Sequence, residues 1–472
     1  MQIPVTFGQW TPDHAPHSTE GLVTASGVYA AANAYKPVMA FQEIAEALPG
    51  GFSGAASYAA SDGTARVIAG DSSALYTLSG GAWTAASTGY TVNNRWRFTQ
   101  FGDDVICVYG GTPVRFSLVA GTAAALTGSP PTGDLICTSR DFVVIARADG
   151  ANNVVQWCAQ GDAANWTIGF NQAGLQPLYS GGKIMGLAGG EYVLIIQRYS
   201  IKRMSYTGDA ADPWQFDEIS TNYGCLSEGS VCQAGRMVFF LSDRGFVMCD
   251  GNEVKPIGAE RVNLAFRDAY SSTDLANMWA TIDPIRSLAI WAMPNKLWMY
   301  NWELDRWTIA EIPCQAAFSS FSEAVSIDQM DALYGNLDAI PYSLDDPRFS
   351  GGEPRITVVH YDGRFGVLSG DNIAATLELP LVEYAADREA RINNIRPVTD
   401  ATTGLTMTVD SRRRLGDAPN TETYTQINDF GDMPVRVAGQ SVGIKLDWAA
   451  GSDWTFAQGV EVFARQGGRK RG

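Results

Sequence analysis

The chain is 472 residues long, 46% hydrophobic and only 18% charged, with 49 glycines and 13 tryptophans. These proportions exclude a disordered chain, and the length exceeds what one ordinary core organises unless a repeat supplies a core per unit. A formal net charge of −16 argues against gripping nucleic acid through a basic face, because phosphate binding draws on Lys and Arg.

Residues 1–50 contain Pro4, Pro12, Pro16 and Pro37, which forbid a long helix. An extended arm is expected there, with short strands at VTFGQW and YKPVMAFQ, packing with the C-terminal part of the chain. No basic-then-apolar leader opens the sequence and no apolar run reaches bilayer length, so a soluble protein made in the cytoplasm is expected. The seven cysteines are odd in number, form no CxxC pair and mostly sit in apolar runs such as VICVY and FVMCD. Buried free thiols are expected.

From residue 51 to 375 one unit recurs: an apolar strand, a Gly/Asp/Asn turn, then a strand that often opens on Trp, as at Trp83, Trp166, Trp214 and Trp307. It is clearest over Arg198–Asn263, where strand–turn–strand occurs twice. Third strands are expected around Leu75, Val114, Val155, Ile201, Phe246, Leu297 and Phe365. The first six are spaced by about 40 to 50 residues, the period of a four-stranded propeller blade. A string of sandwiches would need units of about 100 residues. The fold class is therefore all-β, with a β-propeller of six or seven blades over 51–375. The last gap holds a Pro-, Gly- and Asp-rich insertion, 332–354, expected to serve as a gate loop or a contact with another subunit. Its acidic residues and neighbour, Asp331, Asp338, Asp345 and Asp346, are candidate interface or gate positions. Residues 376–472 change texture to long alternating strands and are expected to form a β-sandwich or barrel-like domain with a basic tail, GGRKRG. Arg412, Arg413 and Arg414 form a basic cluster there, suited to phosphate or to an acidic partner surface, and are further interface candidates.

Motifs for chemistry are sparse. There are three histidines, and HExxH and the phosphate-binding Gly-Lys-Ser/Thr loop are missing, so no catalytic residue, metal or cofactor is expected. DGTARVIAG and SGDNIAAT have part of the Asp-turn pattern of propeller glycosidases. Aspartates in such turns ordinarily serve local hydrogen bonding. A sialidase-like or glycan-binding propeller is the alternative reading.

Two stretches carry a resemblance. The first has Gly8, Trp10, Pro12 and Asp13, then Gly21, Leu22 and Ala25, then Tyr35 and Pro37. The second has Ser205 to Gly208, Tyr223-Gly224, Ser230-Val231, Phe239 to Leu241 and Arg244-Gly245-Phe246. It ends on Asp250-Gly251, Pro256 to Gly258 and Val262. Together they resemble the packaged-DNA stabilisation proteins of short-tailed bacteriophages, which form the tail hub or nozzle. The resemblance implies a structural virion protein and a homo-hexamer beneath a head-to-tail adaptor ring. It also implies contacts with tail fibre, spike or needle proteins, and packaged double-stranded DNA retained above or passing through the lumen. An acidic lumen would let a duplex slide without sticking.

Overall fold

The computed structural model describes residues 2–17, 21–92, 94–321, 336, 354–385 and 389–466. Seven four-stranded antiparallel sheets follow one another along the chain, with innermost strands Gly54–Ala59, Arg97–Phe101, Leu135–Ser139, Ile184–Ala188, Cys232–Ala234, Trp279–Asp283 and Ala316–Phe321. Consecutive innermost strands lie side by side around most of the ring, and Ala316–Phe321 returns to Gly54–Ala59. Between the fourth and fifth sheets the link is a shared apolar core and the Gln233 amide donating to the Gly189 carbonyl at 2.6 Å. The fold is a seven-bladed β-propeller. Middle strands such as Phe142–Ala146 are buried along their whole length because both faces meet a neighbouring blade, which is why they read as unbroken apolar runs.

The seventh blade is not continuous in sequence. Its inner three strands are Ala316–Phe321, Pro354–Val359 and Phe365–Asn372, and its outermost strand is Met39–Ala45, paired antiparallel to Phe365–Asn372. The ring thus takes one strand from the stretch ahead of residue 51. Arg364 holds this strand laterally through Glu43 at 2.6 Å, and Phe41 packs on His360 with ring centroids 5.5 Å apart.

The C-terminal strands form two facing sheets. One is ordered Val28–Ala31, Ala34–Pro37, Ala457–Gln466, Ala390–Thr399, Met433–Gly439, with Gln2–Thr6 also paired to Ala457–Gln466. The other runs Ala375–Glu378, Ser441–Trp448, Leu405–Arg412, Asn420–Tyr424. Leu405–Arg412 and Met433–Gly439 alternate buried and exposed residues, as one-sided strands must. Three arm residues, Thr24–Ser26, join this second sheet to the propeller. They pair antiparallel with Thr376 to Glu378, and Ser26 bridges in parallel to Ile309 on the outer strand of blade 6. Blade 6 and half of the sandwich are thereby one nine-stranded sheet. Gly27 follows directly with φ +73°, and a Cβ there would lie 2.1 Å from the Ala374 carbonyl oxygen, so the crossing needs glycine.

Of the four tryptophans expected to open outer strands, Trp83, Trp214 and Trp307 do so. Trp166 instead sits in the loop before Gly174–Pro177. It is buried in the core shared by blades 2 and 3, with its indole N–H donating to Ala163 at 2.8 Å. All seven cysteines are buried and free. Among the described residues no helix is long and apolar enough to cross a membrane.

Candidate functional site

Two stretches singled out in the sequence, Gly8 to Pro37 and Ser205 to Val262, meet in space. Blade 5 ends at Val254–Pro256, and the chain then turns into a short helix, Asn263–Ala269. The residue before that helix, Val262, has no side chain able to cap it. Asp13, 250 positions earlier, does so. Its carboxylate accepts from the backbone N–H groups of Leu264 at 3.0 Å and Ala265 at 2.9 Å, and its own N–H donates to the Arg261 carbonyl at 3.1 Å. Trp10 lies beside it in the core that also holds Phe246, Val262 and Phe266. Its ring is 5.5 Å from Trp298, and its N–H donates to Val23 at 3.0 Å. Tyr35 closes the arm on itself by donating to the Gly8 carbonyl at 2.6 Å. On the ring side, Asn263 folds back over Gly245, where an added Cβ would come within 2.0 Å of its amide. Asp13→Ala is expected to cost about 1 kcal/mol through the lost cap, measured by chemical denaturation, with Asp13→Asn recovering most of it.

A second cluster sits on the propeller axis. All innermost strands run in the same sense, so the residues just before them collect at one end of the axis. Four of the six charged groups here come from that position: Arg95, Asp134, Lys183 and Glu228. Arg97 opens the inner strand of blade 2, and Arg147 follows the antiparallel second strand of blade 3 and so ends at the same mouth. Arg147 is only 3% exposed. It donates to both Glu228 oxygens at 2.7 and 3.1 Å and lies 3.2 Å from Asp134, while Lys183 reaches Glu228 at 2.7 Å. Burial alone would raise the Glu228 carboxyl, but the Arg147 guanidinium and the Lys183 ammonium outweigh it and hold it at about 2. Glu228 is therefore unprotonated at neutral pH and cannot act there as a general acid.

Below this mouth lies an axial cavity of about 240 Å³, lined from all seven blades, including Ala55, Arg97, Ile136, Leu187, Gly229, Trp279 and Phe318. One groove of B-form DNA is already about 12 Å wide, so no duplex threads this axis.

No family model matches the chain, and no curated protein does. Among solved structures, the extracellular domain of the putative one component system BT4673 from B. thetaiotaomicron is 11% identical with a TM-score of 0.43, covering 83% of this chain and 48% of that one. BBS1N in complex with ARL6DN is 9% identical with a TM-score of 0.41, covering 70% and 96%. YCF48 from Cyanidioschyzon merolae is 14% identical with a TM-score of 0.33, covering 53% and 79%. This chain thus spans about half the length of the BT4673 structure.

Of the residues singled out in the sequence, Asp331, Asp338, Asp345 and Asp346 lie outside the described residues, as does the tail with Arg469, Lys470 and Arg471. Arg412, Arg413 and Arg414 end an outer-sheet strand of the sandwich and enter its turn. Arg412 donates to the Leu415 carbonyl at 3.2 Å, Arg413 stands exposed 3.6 Å from Glu389, and the Arg414 N–H donates to Asp417 at 3.0 Å. Asp62 of DGTARVIAG accepts from the Thr64 N–H two residues on, at 2.8 Å, a local turn bond. The axial charges were not singled out, because they are scattered along the chain from Arg95 to Glu228. The signal that would have found them is positional: charged residues recurring just before the first strand of successive blades.

Proposed function

We propose that this protein is a tail hub or nozzle subunit of a short-tailed bacteriophage. In that role it is a non-catalytic virion component that closes the channel over packaged DNA and lines the exit path during ejection. The observation that carries the reading is the docking of Trp10 and Asp13 onto the loop and helix after blade 5. The two stretches that resemble the family are distant in sequence, yet they form one joint that fastens arm, sandwich and ring together. In the proposed assembly six copies sit beneath a head-to-tail adaptor ring. DNA runs between the copies, since the axis of each propeller is too narrow for it. A net charge of −16 favours passage over capture, because surfaces that repel phosphate release no counterions to hold the duplex. Fibre, spike or needle proteins would attach at the outer faces, with Arg412, Arg413 and Arg414 as one candidate contact.

Native mass measurement tests the reading. A ring of six, alone or on addition of an adaptor complex from a short-tailed phage, is the expected result. The arginines at the axial mouth favour a glycan-binding propeller as the second reading. A monomer that stays monomeric with adaptor and binds sialylated glycans would replace the first reading with that one.

A further inference from the structure

The axial mouth holds more positive charge than its carboxylates neutralise. Among the described residues, the carboxylates that Arg95, Arg97, Arg147 and Lys183 face are Asp134 and Glu228, and both are engaged by Arg147 and Lys183. Arg95 and Arg97 sense the Glu228 field but make their hydrogen bonds to neutral partners. Arg95 donates to the carbonyls of Met278 at 2.5 Å and Ala276 at 2.8 Å and lies 4.1 Å over the Trp279 ring. Arg97 donates to the Glu228 carbonyl at 3.2 Å. Carbonyls satisfy N–H groups without cancelling charge. Burial, with the field of Arg97 at Arg95 and of Arg147 at Arg97, pulls both guanidinium values down against the opposing field of Glu228, Arg95 to about 10, and a guanidinium keeps its proton inside proteins.

Both side chains flank one short segment. Arg97 reaches the Glu228 carbonyl, and a Cβ on the next residue, Gly229, would come 2.3 Å from Arg95 Nη1. Space adjoins each of them: Arg97 and Gly229 line the axial cavity of about 240 Å³, and Arg95 lines an open groove of about 680 Å³ with Ser53, Asn277 and Gln315. A guanidinium presents paired donors to tetrahedral and planar oxyanions, and a partly buried site strengthens the attraction.

We propose that the axial mouth binds a small oxyanion of the phosphate class, held by Arg95 and Arg97, whose double charge offsets the surplus of two. The proposal stands apart from the tail reading and needs only the single chain. The full-length protein is unfolded thermally in inorganic phosphate and in sodium chloride of equal ionic strength. The expected result is a saturable rise of a few degrees specific to phosphate. Arg97→Gln keeps a donor for the Glu228 carbonyl and is expected to bind phosphate about 10- to 100-fold more weakly. A nucleoside monophosphate in a parallel titration distinguishes a free anion from one carried on a larger molecule. A rise with either one supports the site. No rise over chloride with both, or wild-type phosphate affinity in both Arg97→Gln and Arg95→Gln, overturns it. Should either variant fail to fold by circular dichroism, selenate diffused into crystals of the wild-type protein decides, and its absence from the mouth overturns the site.

Discussion

A chain beginning at residue 46 is expected not to fold to a closed ring. Three losses coincide in that truncation. Blade 7 loses Met39–Ala45 and leaves Phe365–Asn372 as a bare edge, an invitation to pair with other chains. The nine-stranded sheet loses Thr24–Ser26 and separates into blade 6 and half a sandwich. The common core loses Phe7, Trp10, Leu22, Ala25, Val28, Ala30 and Tyr35, all buried. At about 1.5–3 kcal/mol for each large apolar side chain, the burial lost is on the order of 10 kcal/mol, comparable to the whole stability of an ordinary domain. Aggregation on expression, or a species lacking a cooperative unfolding transition by circular dichroism, is the expected outcome. A monodisperse truncated chain with wild-type unfolding would refute this account of the arm. A milder cut, removing only Gln2–Thr6, uncovers one edge of Ala457–Gln466 and is expected to leave the ring intact.

The second large effect is acid sensitivity at the axis. The Glu228 carboxyl falls from an ordinary 4.5 to about 2 in the folded protein. A group whose folded value is depressed contributes stability above its unfolded value and loses it as pH falls towards the folded one. The contribution is therefore complete at pH 7 and disappears between about pH 5 and pH 2, and the shift corresponds to about 3 kcal/mol. Glu228→Gln is expected to lower stability at pH 7 by about that amount and to converge with the wild type near pH 2. Arg147→Met probes the other half. It strands the buried Glu228 with Lys183 alone and is expected to cost about 3–5 kcal/mol at pH 7 and far less below pH 3. Urea unfolding across pH 2–7 measures both, and parallel curves for the wild type and Glu228→Gln would show that the pair contributes nothing.

Much of the ring was legible in the sequence. Leu75, Val114, Val155, Ile201, Phe246, Leu297 and Phe365 each lie in the third strand of a blade, because a buried strand closed by a tight turn writes its pattern locally. The blade number stayed between six and seven for a physical reason. The seventh blade is completed by residues more than 300 positions away, and no period reveals a strand borrowed across the chain. The run PVRVAGQSVGIKLDWA shows the same limit on a smaller scale. It alternates without a break, yet it divides at Gln440 into Met433–Gly439 and Ser441–Trp448, which belong to opposite sheets. The axial charges were invisible because only ring closure brings Arg95 to Glu228. The bulk charge even pointed the other way, since −16 overall conceals a cationic mouth.

The pairing of Gln2–Thr6 with Ala457–Gln466 joins strands from the two ends of the described fold. At a synthesis rate of about 5–20 residues per second, the opening strand waits roughly half a minute or longer for its neighbour. Blades 1 to 6 can condense one after another as they emerge, whereas blade 7 waits for Phe365–Asn372 and the sandwich for Ala457–Gln466. Closure thus acts as a check on these strands, since a chain released before they are made has neither a sealed ring nor a fastened arm. In a multi-copy assembly, such a check would keep unfinished subunits out.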